Sequence, residues 1–394
     1  MPSSQPRTRR LRLRAACVAA LCLAALTPAT ASTAATPGPR DTDLRRQLEA
    51  LVHTPGGPPG AIAVLQQDGH RRVVTAGVAD LATGRKPQIN DHMRIASVAK
   101  AFSGAVALSL VDRHALRLDD TIGRRLPRLP RAWYQVTLRQ LLNHTSGLPD
   151  YSDDPEFRQI ITADPHHIFD PHHLLDFVAD EPLLFRPGSR YHYSNSDNIA
   201  VALMAEAVTG TPYEQLLREL VYRPLHLRDT SLPQGYRMPR PYLHGYAFAP
   251  PAPPEDVSEL FSASASWASG GIVSTPADLT RFIRGYVGGA LFGPDVVRQQ
   301  RRWIPGAASE PAGPGRNSAG LALFRYETRC GVVLGHTGNT AGYTQLAAAT
   351  PDGRRSLTFS VTSQITDSTN PQLLQRLRAV QEDFVCALLG RPGH

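Results

Sequence analysis

Arg94-Ile95-Ala96-Ser97-Val98-Ala99-Lys100-Ala101-Phe102 opens a stretch that carries no further charge until Asp112. Ser97 and Lys100 stand three residues apart, so on a helix their side chains share one face about a turn apart. A serine nucleophile activated by a lysine amine requires that placement. Ser-x-x-Lys by itself arises by chance in a chain of 394 residues, and a lysine snorkelling from the end of a core helix is the plain alternative. Lysine usage separates the two. Of 42 basic residues only Lys86 and Lys100 are lysines. A position that tolerated any cation would have become Arg like the rest. Arg cannot release its proton in a protein, whereas a desolvated Lys can.

Outward from this stretch the chain divides cleanly. Arg7, Arg9, Arg10, Arg12 and Arg14 precede an apolar run from Ala15 to Leu26, and Ala29-Thr30-Ala31 follows. These are the three regions of a secretory signal peptide, expected over residues 1–31. Thr8-Arg9-Arg10-Leu11-Arg12-Leu13 partly resembles a twin-arginine signal. The run is too short to span a bilayer, no later run is longer, and no lipobox precedes Cys17 or Cys22, so no stable membrane anchor is expected. The expected location is extracellular. Two cysteines, Cys330 and Cys386, remain after the signal, and an oxidising compartment favours one disulfide between them.

Much of the formal charge of +8 lies in that arginine cluster, and no basic run is interleaved with aromatics. Nothing therefore calls for nucleic acid. A composition of 42% hydrophobic and 19% charged residues excludes a disordered chain and a multi-span membrane protein. Residues 32–42 read as a linker, and residues 43–390 as one domain. Asp43 is expected to cap a helix carrying Leu44, Leu48, Leu51 and Val52. Ala61–Leu65 and Arg72–Ala76 read as a hairpin turning at Asp68-Gly69. Late strands are expected at 321–326, 332–336, 342–349 and 357–362, then a helix from Pro371 to Leu389. Strands at both ends around a helix-patterned centre predict an α/β (α+β) fold. Its antiparallel sheet is built from both chain ends, with a helical insertion over roughly 95–300. Ala249–Pro254 and Pro305–Gly315 read as loops.

Two more segments complete a pattern. Phe185-Arg186-Pro187-Gly188 leads to Tyr191-His192-Tyr193-Ser194-Asn195, and Gly335-His336-Thr337-Gly338-Asn339 lies on a predicted late strand. Ser-x-x-Lys, Tyr-x-Asn and His-Thr-Gly, in that order, resemble the penicillin-recognising serine hydrolases: DD-peptidases, class C β-lactamases and related esterases. Leu141-Leu142-Asn143-His144-Thr145-Ser146-Gly147-Leu148 is similar to the same family. His-Thr-Gly together with Tyr-Ser-Asn looks most like its secreted D-alanyl-D-alanine carboxypeptidases, as does the cysteine pair.

The resemblance implies a β-lactamase/transpeptidase-like fold and an acyl-enzyme formed on Ser97 from peptidoglycan D-Ala-D-Ala peptides or β-lactams. Lys100 and Tyr193 would move the proton, with Tyr193 as a phenolate beside the ammonium. Asn195 would hold the substrate's amide side chain, and His336 would be a polar or cationic partner near Tyr193. Thr337 would face the substrate carboxylate, and Gly338 would let substrate approach the strand. The backbone N–H groups of Ser97 and Asn339 would form the oxyanion hole. Relatives often hold the terminal carboxylate with an Arg on the preceding strand. Arg325 is the candidate, although the register sets Phe324 at that position. Trp267 in Ser266-Trp267-Ala268-Ser269-Gly270-Gly271 is expected in the cleft wall, or else as a buried structural residue.

Asp-Pro-His-His occurs at 164–167 and 170–173, but vicinal His pairs lack the i, i+4 spacing of metal-binding helices and Asp170-Pro171 reads as a helix start. No metal or cofactor is expected. A monomeric secreted serine D-alanyl-D-alanine carboxypeptidase is the reading, with a class C-like β-lactamase or esterase of the same fold as the alternative. An idle penicillin-binding or peptidoglycan-binding module fits poorly, since binding needs no titratable Lys in an apolar helix.

Overall fold

The computed structural model describes residues 39–249, 251–368 and 370–391. The expected signal peptide, with Cys17 and Cys22, and most of the expected linker lie outside them. No described helix is long and apolar enough to cross a membrane.

Helix α1 (Pro39–Val52) leads into strands β1 (Gly60–Gln67) and β2 (His70–Gly77). Asp68 and Gly69 both take positive φ, the two-residue turn whose twist matches the strands it joins. Six further strands come from the C-terminal part: β3 (Ile304–Pro305), β4 (Arg316–Ala319), β5 (Phe324–Thr328), β6 (Gly331–Thr340), β7 (Tyr343–Ala349) and β8 (Ser356–Val361). They form one antiparallel sheet in the order β2-β1-β8-β7-β6-β5-β4-β3. Ala61 of β1 pairs with Val361 of β8, so early and late strands join between the second and third positions of the sheet.

β1 reads as an unbroken apolar run because both of its faces are covered. Ala61, Ala63 and Leu65 pack with Leu44, Leu48, Leu377 and Phe384 of α1 and the closing helix α5 (Pro371–Leu388). Ile62 and Val64 point the other way, into the core of the helical region. That region contains α2 (Ala99–Asp112), α3 (Asn195–Thr209) and α4 (Pro276–Val287). α2 is buried without interruption from Ala99 to Leu110, which explains its lack of charge.

Two expectations shift. Asp43 lies inside α1 and pairs with Arg46 at 3.0 Å, because the helix begins at Pro39, whose fixed φ suits a first helical position. The short strands β3, at the sheet edge, and β4 beside it border the expected 305–315 loop, with too few residues for alternation to reveal them. Cys330, between β5 and β6, is disulfide-bonded to Cys386 of α5, with Cα atoms 5.1 Å apart.

Candidate active site

Ser97 occupies a single 3₁₀ turn, Ala96–Val98, directly before α2. Ala96 is left-handed at φ 49°, a conformation that costs an L-residue about 1–2 kcal/mol. The turn is pressed against β6. A Cβ at Gly338 would lie 2.3 Å from the Ile95 carbonyl oxygen and 3.2 Å from the Ser97 nitrogen. The absent side chain of Gly338 thus admits the nucleophile's own turn, not substrate, which corrects the expectation. Beyond Gly335 the β5 side of β6 is unpaired, so residues 336–340 present a free strand edge near Ser97. Asn339 and Ser97 both line the cleft.

Lys100 is fully buried. Its ammonium donates to Ser97 Oγ at 3.1 Å, Asn195 Oδ1 at 2.7 Å and the Ser269 carbonyl at 2.9 Å. All three acceptors are uncharged. Burial therefore pulls the amine down to about 7, while the more distant Asp150, Glu310 and Asp197 oppose the shift. Once deprotonated, Lys100 keeps two N–H donors for Asn195 and Ser269 and has its lone pair for Ser97. That is the geometry of a general base.

Tyr193 brings its ring centroid to 4.9 Å from Lys100 Nζ. Its buried hydroxyl makes no hydrogen bond of ordinary geometry among the described residues. Burial pushes the phenol well above 10, with Ser97 close enough to offset part of the rise. Tyr193 is accordingly a protonated donor at rest, and the expected phenolate is corrected. His336 is also buried. Its Nδ1 donates to the Thr337 carbonyl at 2.6 Å, which leaves Nε2 as an acceptor without a partner among the described residues. Burial lowers the imidazole to about 3, so His336 is neutral and not cationic.

Other expected substrate contacts are relocated. Asn195 has its amide fully engaged: Nδ2 donates to Asp150 Oδ2 at 3.0 Å and Ser152 Oγ at 3.1 Å, and Oδ1 accepts from Lys100. It lines the cleft but acts first on the lysine. The Thr337 hydroxyl donates to the Pro311 carbonyl at 2.6 Å and lies 2.7 Å from Ser309 Oγ, so it faces the 305–315 loop and not substrate. Phe324, Tyr326 and Thr328 are the buried residues of β5, which turns Arg325 to the other face, where it pairs with Glu327 at 3.1 Å. Arg325 is not a cleft residue. Trp267 is buried and donates to Glu214 at 2.9 Å, facing a separate cavity with Asp170 and His172. The cleft wall there is Ser266, Ser269 and Gly270 instead. In the repeated Asp-Pro-His-His motif, Asp170 caps Pro171–Val178 and His172 pairs with Asp170 and Glu206.

Three groups were not singled out from the sequence. Asp150 accepts from the Asn195 backbone at 2.8 Å as well as from its side chain, and follows Leu148-Pro149 as a helix-capping residue would. His144 and Asp197 form a buried pair at 2.8 Å beneath Tyr193, whose ring is 4.5 Å from the imidazole. Burial raises the acid and lowers the base. Glu310 lines the cleft from the proline-rich loop, where no pattern marks it. The cleft encloses about 1010 Å³.

The Beta-lactamase family model matches residues 45–382. Penicillin-binding protein 4* of Bacillus subtilis (strain 168) is 25% identical over 304 residues, covering 72% of this chain and 63% of that protein. This chain therefore spans less than two thirds of that relative's length. D-alanyl-D-alanine-carboxypeptidase/endopeptidase AmpH of Escherichia coli (strain K12) is 27% identical over 278 residues, 68% of each protein. Among solved structures, a D-stereospecific amidohydrolase from Streptomyces sp. superposes with a TM-score of 0.76 at 29% identity, covering 88% of this chain and 99% of that one.

Proposed function

The chain belongs to the Beta-lactamase family of serine hydrolases, and from that premise we propose that it is an exported enzyme that hydrolyses the amide bond on the carbonyl side of a D-amino acid through a Ser97 acyl-enzyme. The observation that carries this reading is the buried Lys100 amine, held by three uncharged acceptors with Ser97 Oγ among them. Lys100 takes the Ser97 proton as Oγ bonds to the substrate carbonyl carbon, and the carbonyl electrons move to oxygen. The N–H groups of Ser97 and Asn339 receive that oxyanion. When the tetrahedral centre collapses, the C–N bond breaks and the leaving amine takes a proton from the Tyr193 phenol, which Lys100 restores. Water then attacks the ester by the same route in reverse.

D-alanyl-D-alanine carboxypeptidase action on peptidoglycan stem peptides is one form of this chemistry, supported by the likeness to AmpH. It calls for a cation to meet the terminal carboxylate. Arg158 is engaged by Asp153, while Arg378, on the carbonyls of Gly313 and Gly315, has no acidic partner among the described residues. Hydrolysis of D-amino-acid amides is the second form, supported by the likeness to the Streptomyces amidohydrolase and by the Glu310 carboxylate in the cleft. Export is supported by the signal-like N-terminus and by the Cys330–Cys386 bond.

The test is covalent labelling. Labelled penicillin should add to the wild type at Ser97 and not to Ser97→Ala; an adduct on another residue would defeat the reading. Release of D-alanine from a D-Ala-D-Ala peptide, compared with hydrolysis of D-alaninamide, a β-lactam and a short-chain ester, then assigns the form.

A further inference from the structure

We propose that Glu310 receives a free α-ammonium group on the acyl side of the substrate, so that the enzyme works on unblocked D-amino-acid amides and on the N-terminal D-residue of short peptides. The proposal rests on the acyl-enzyme reading above and narrows its substrate.

Glu310 lines the same cleft as Ser97 and is exposed there, and its carboxylate has no hydrogen-bond or ion-pair partner among the described residues. Its neighbours on both sides are pinned. Thr337 of β6 holds the Pro311 carbonyl at 2.6 Å and lies 2.7 Å from Ser309 Oγ, which is itself 3.1 Å from the Tyr326 hydroxyl of β5. Residue 310 is therefore fixed between two strand contacts. The residue expected to greet a substrate carboxylate instead holds up a carboxylate of the protein's own.

Nearby charge points the same way. Burial raises the Glu310 pKa, and Asp150 and Asp153 add to the rise, whereas Lys100 and His192 oppose it. A substrate carboxylate brought here would add to this negative field, but an ammonium would relieve it. Two nearby cations are committed: Arg325 faces Glu327 outside the cleft, and Arg158 pairs with Asp153. Arg378 lines the cleft but makes no ion pair with Glu310. An unpaired acid exposed at the cleft is suited to a charge-assisted hydrogen bond with an amine, which solvent screening limits to about fivefold in affinity.

The experiment compares D-alanine p-nitroanilide with its N-acetyl derivative on the full chain. Wild type should favour the free amine in kcat/KM. In Glu310→Gln the ratio of the two kcat/KM values should fall about fivefold, through KM for the unblocked substrate. Glu310→Arg should move the preference to N-succinyl-D-alanine p-nitroanilide, whose added group is anionic. A ratio within twofold of wild type in Glu310→Gln would overturn the proposal while the acyl-enzyme reading stands. Acylation of wild-type Ser97 by neither anilide would overturn both.

Discussion

Lys100 donates to Asn195 Oδ1 at 2.7 Å, and that oxygen faces the amine because the amide nitrogen of Asn195 is held by Asp150 and Ser152. The amide carries the influence of a carboxylate to the lysine without bringing its charge into contact. Asp150 fixes which end of Asn195 meets Lys100, and the uncharged oxygen leaves the amine free to lose its proton near neutral pH.

Asn195→Asp should undo this arrangement. A carboxylate within hydrogen-bond distance of Nζ would stabilise the ammonium, raising a pKa now at about 7 toward the ordinary 10.5. Penicillin acylation of wild type should rise with pH through a midpoint near 7. In the variant that midpoint should move up by about 1–3 pH units, read from stopped-time labelling across a pH series. An unmoved midpoint would show that Lys100 does not set it.

Lys100→Arg has an internal control, because almost every other cation in the chain is Arg. Arg stays protonated, so general-base assistance, typically worth about 10²–10⁴ in rate, should be lost. Lys86, which donates to the Gly77 carbonyl far from this chemistry, should tolerate Arg without change. Acylation of Lys100→Arg within a few-fold of wild type would assign the lysine a purely electrostatic part.

Stability should carry the same signature. The folded-state pKa of Lys100 lies below its unfolded value of 10.5, so between about 7 and 10.5 the unfolded chain binds the extra proton. Wild type should therefore gain stability relative to Lys100→Met as pH rises through that window, by up to about 1.4 kcal/mol per pH unit. Below pH 7 both chains should run parallel. Urea melts at pH 6, 8 and 9.5 measure the trend, and a difference that shrinks with pH would contradict it.

The disulfide closes a loop of 56 residues, for which chain entropy gives about 4 kcal/mol. Replacing Cys330 and Cys386 together by Ala should cost about 2–4 kcal/mol in denaturant titration. The untreated, unfolded protein with residues 330 and 386 intact should show no reactive thiol at either position by peptide mapping.

What could be read in advance follows from range. Ser97 and Lys100 lie a single turn apart, and Asp68-Gly69 dictates its own hairpin, so local chemistry exposes them. Arg325, Trp267 and Thr337 were nameable by motif, but the direction each faces depends on strands and loops from elsewhere in the chain. Arg325 shows the principle. Its alternation with the buried Phe324 and Tyr326 was readable, yet only the completed sheet reveals which face meets the cleft. The charge of His336 was inaccessible for another reason: its neutrality comes from burial, which no short motif encodes. Glu310 had no signal at all, since a glutamate among prolines looks like any solvated loop.

The seam between β1 and β8 ends on residues 302 positions apart, where the Gly60 nitrogen donates to Thr362 Oγ1 at 2.7 Å. A ribosome delivers β1 early and must still translate residues 68–361 before β8 is complete and can meet it. Until then β1 and β2 are a hairpin with an open edge, and the strand bearing Asn339 has nothing to join it to them. Closing so long a loop comes late in folding. A chain stopped short of Ser356 would contain Ser97, Lys100 and Tyr193 in full and still have its sheet in two pieces. The joined sheet therefore exists only once translation has passed β8.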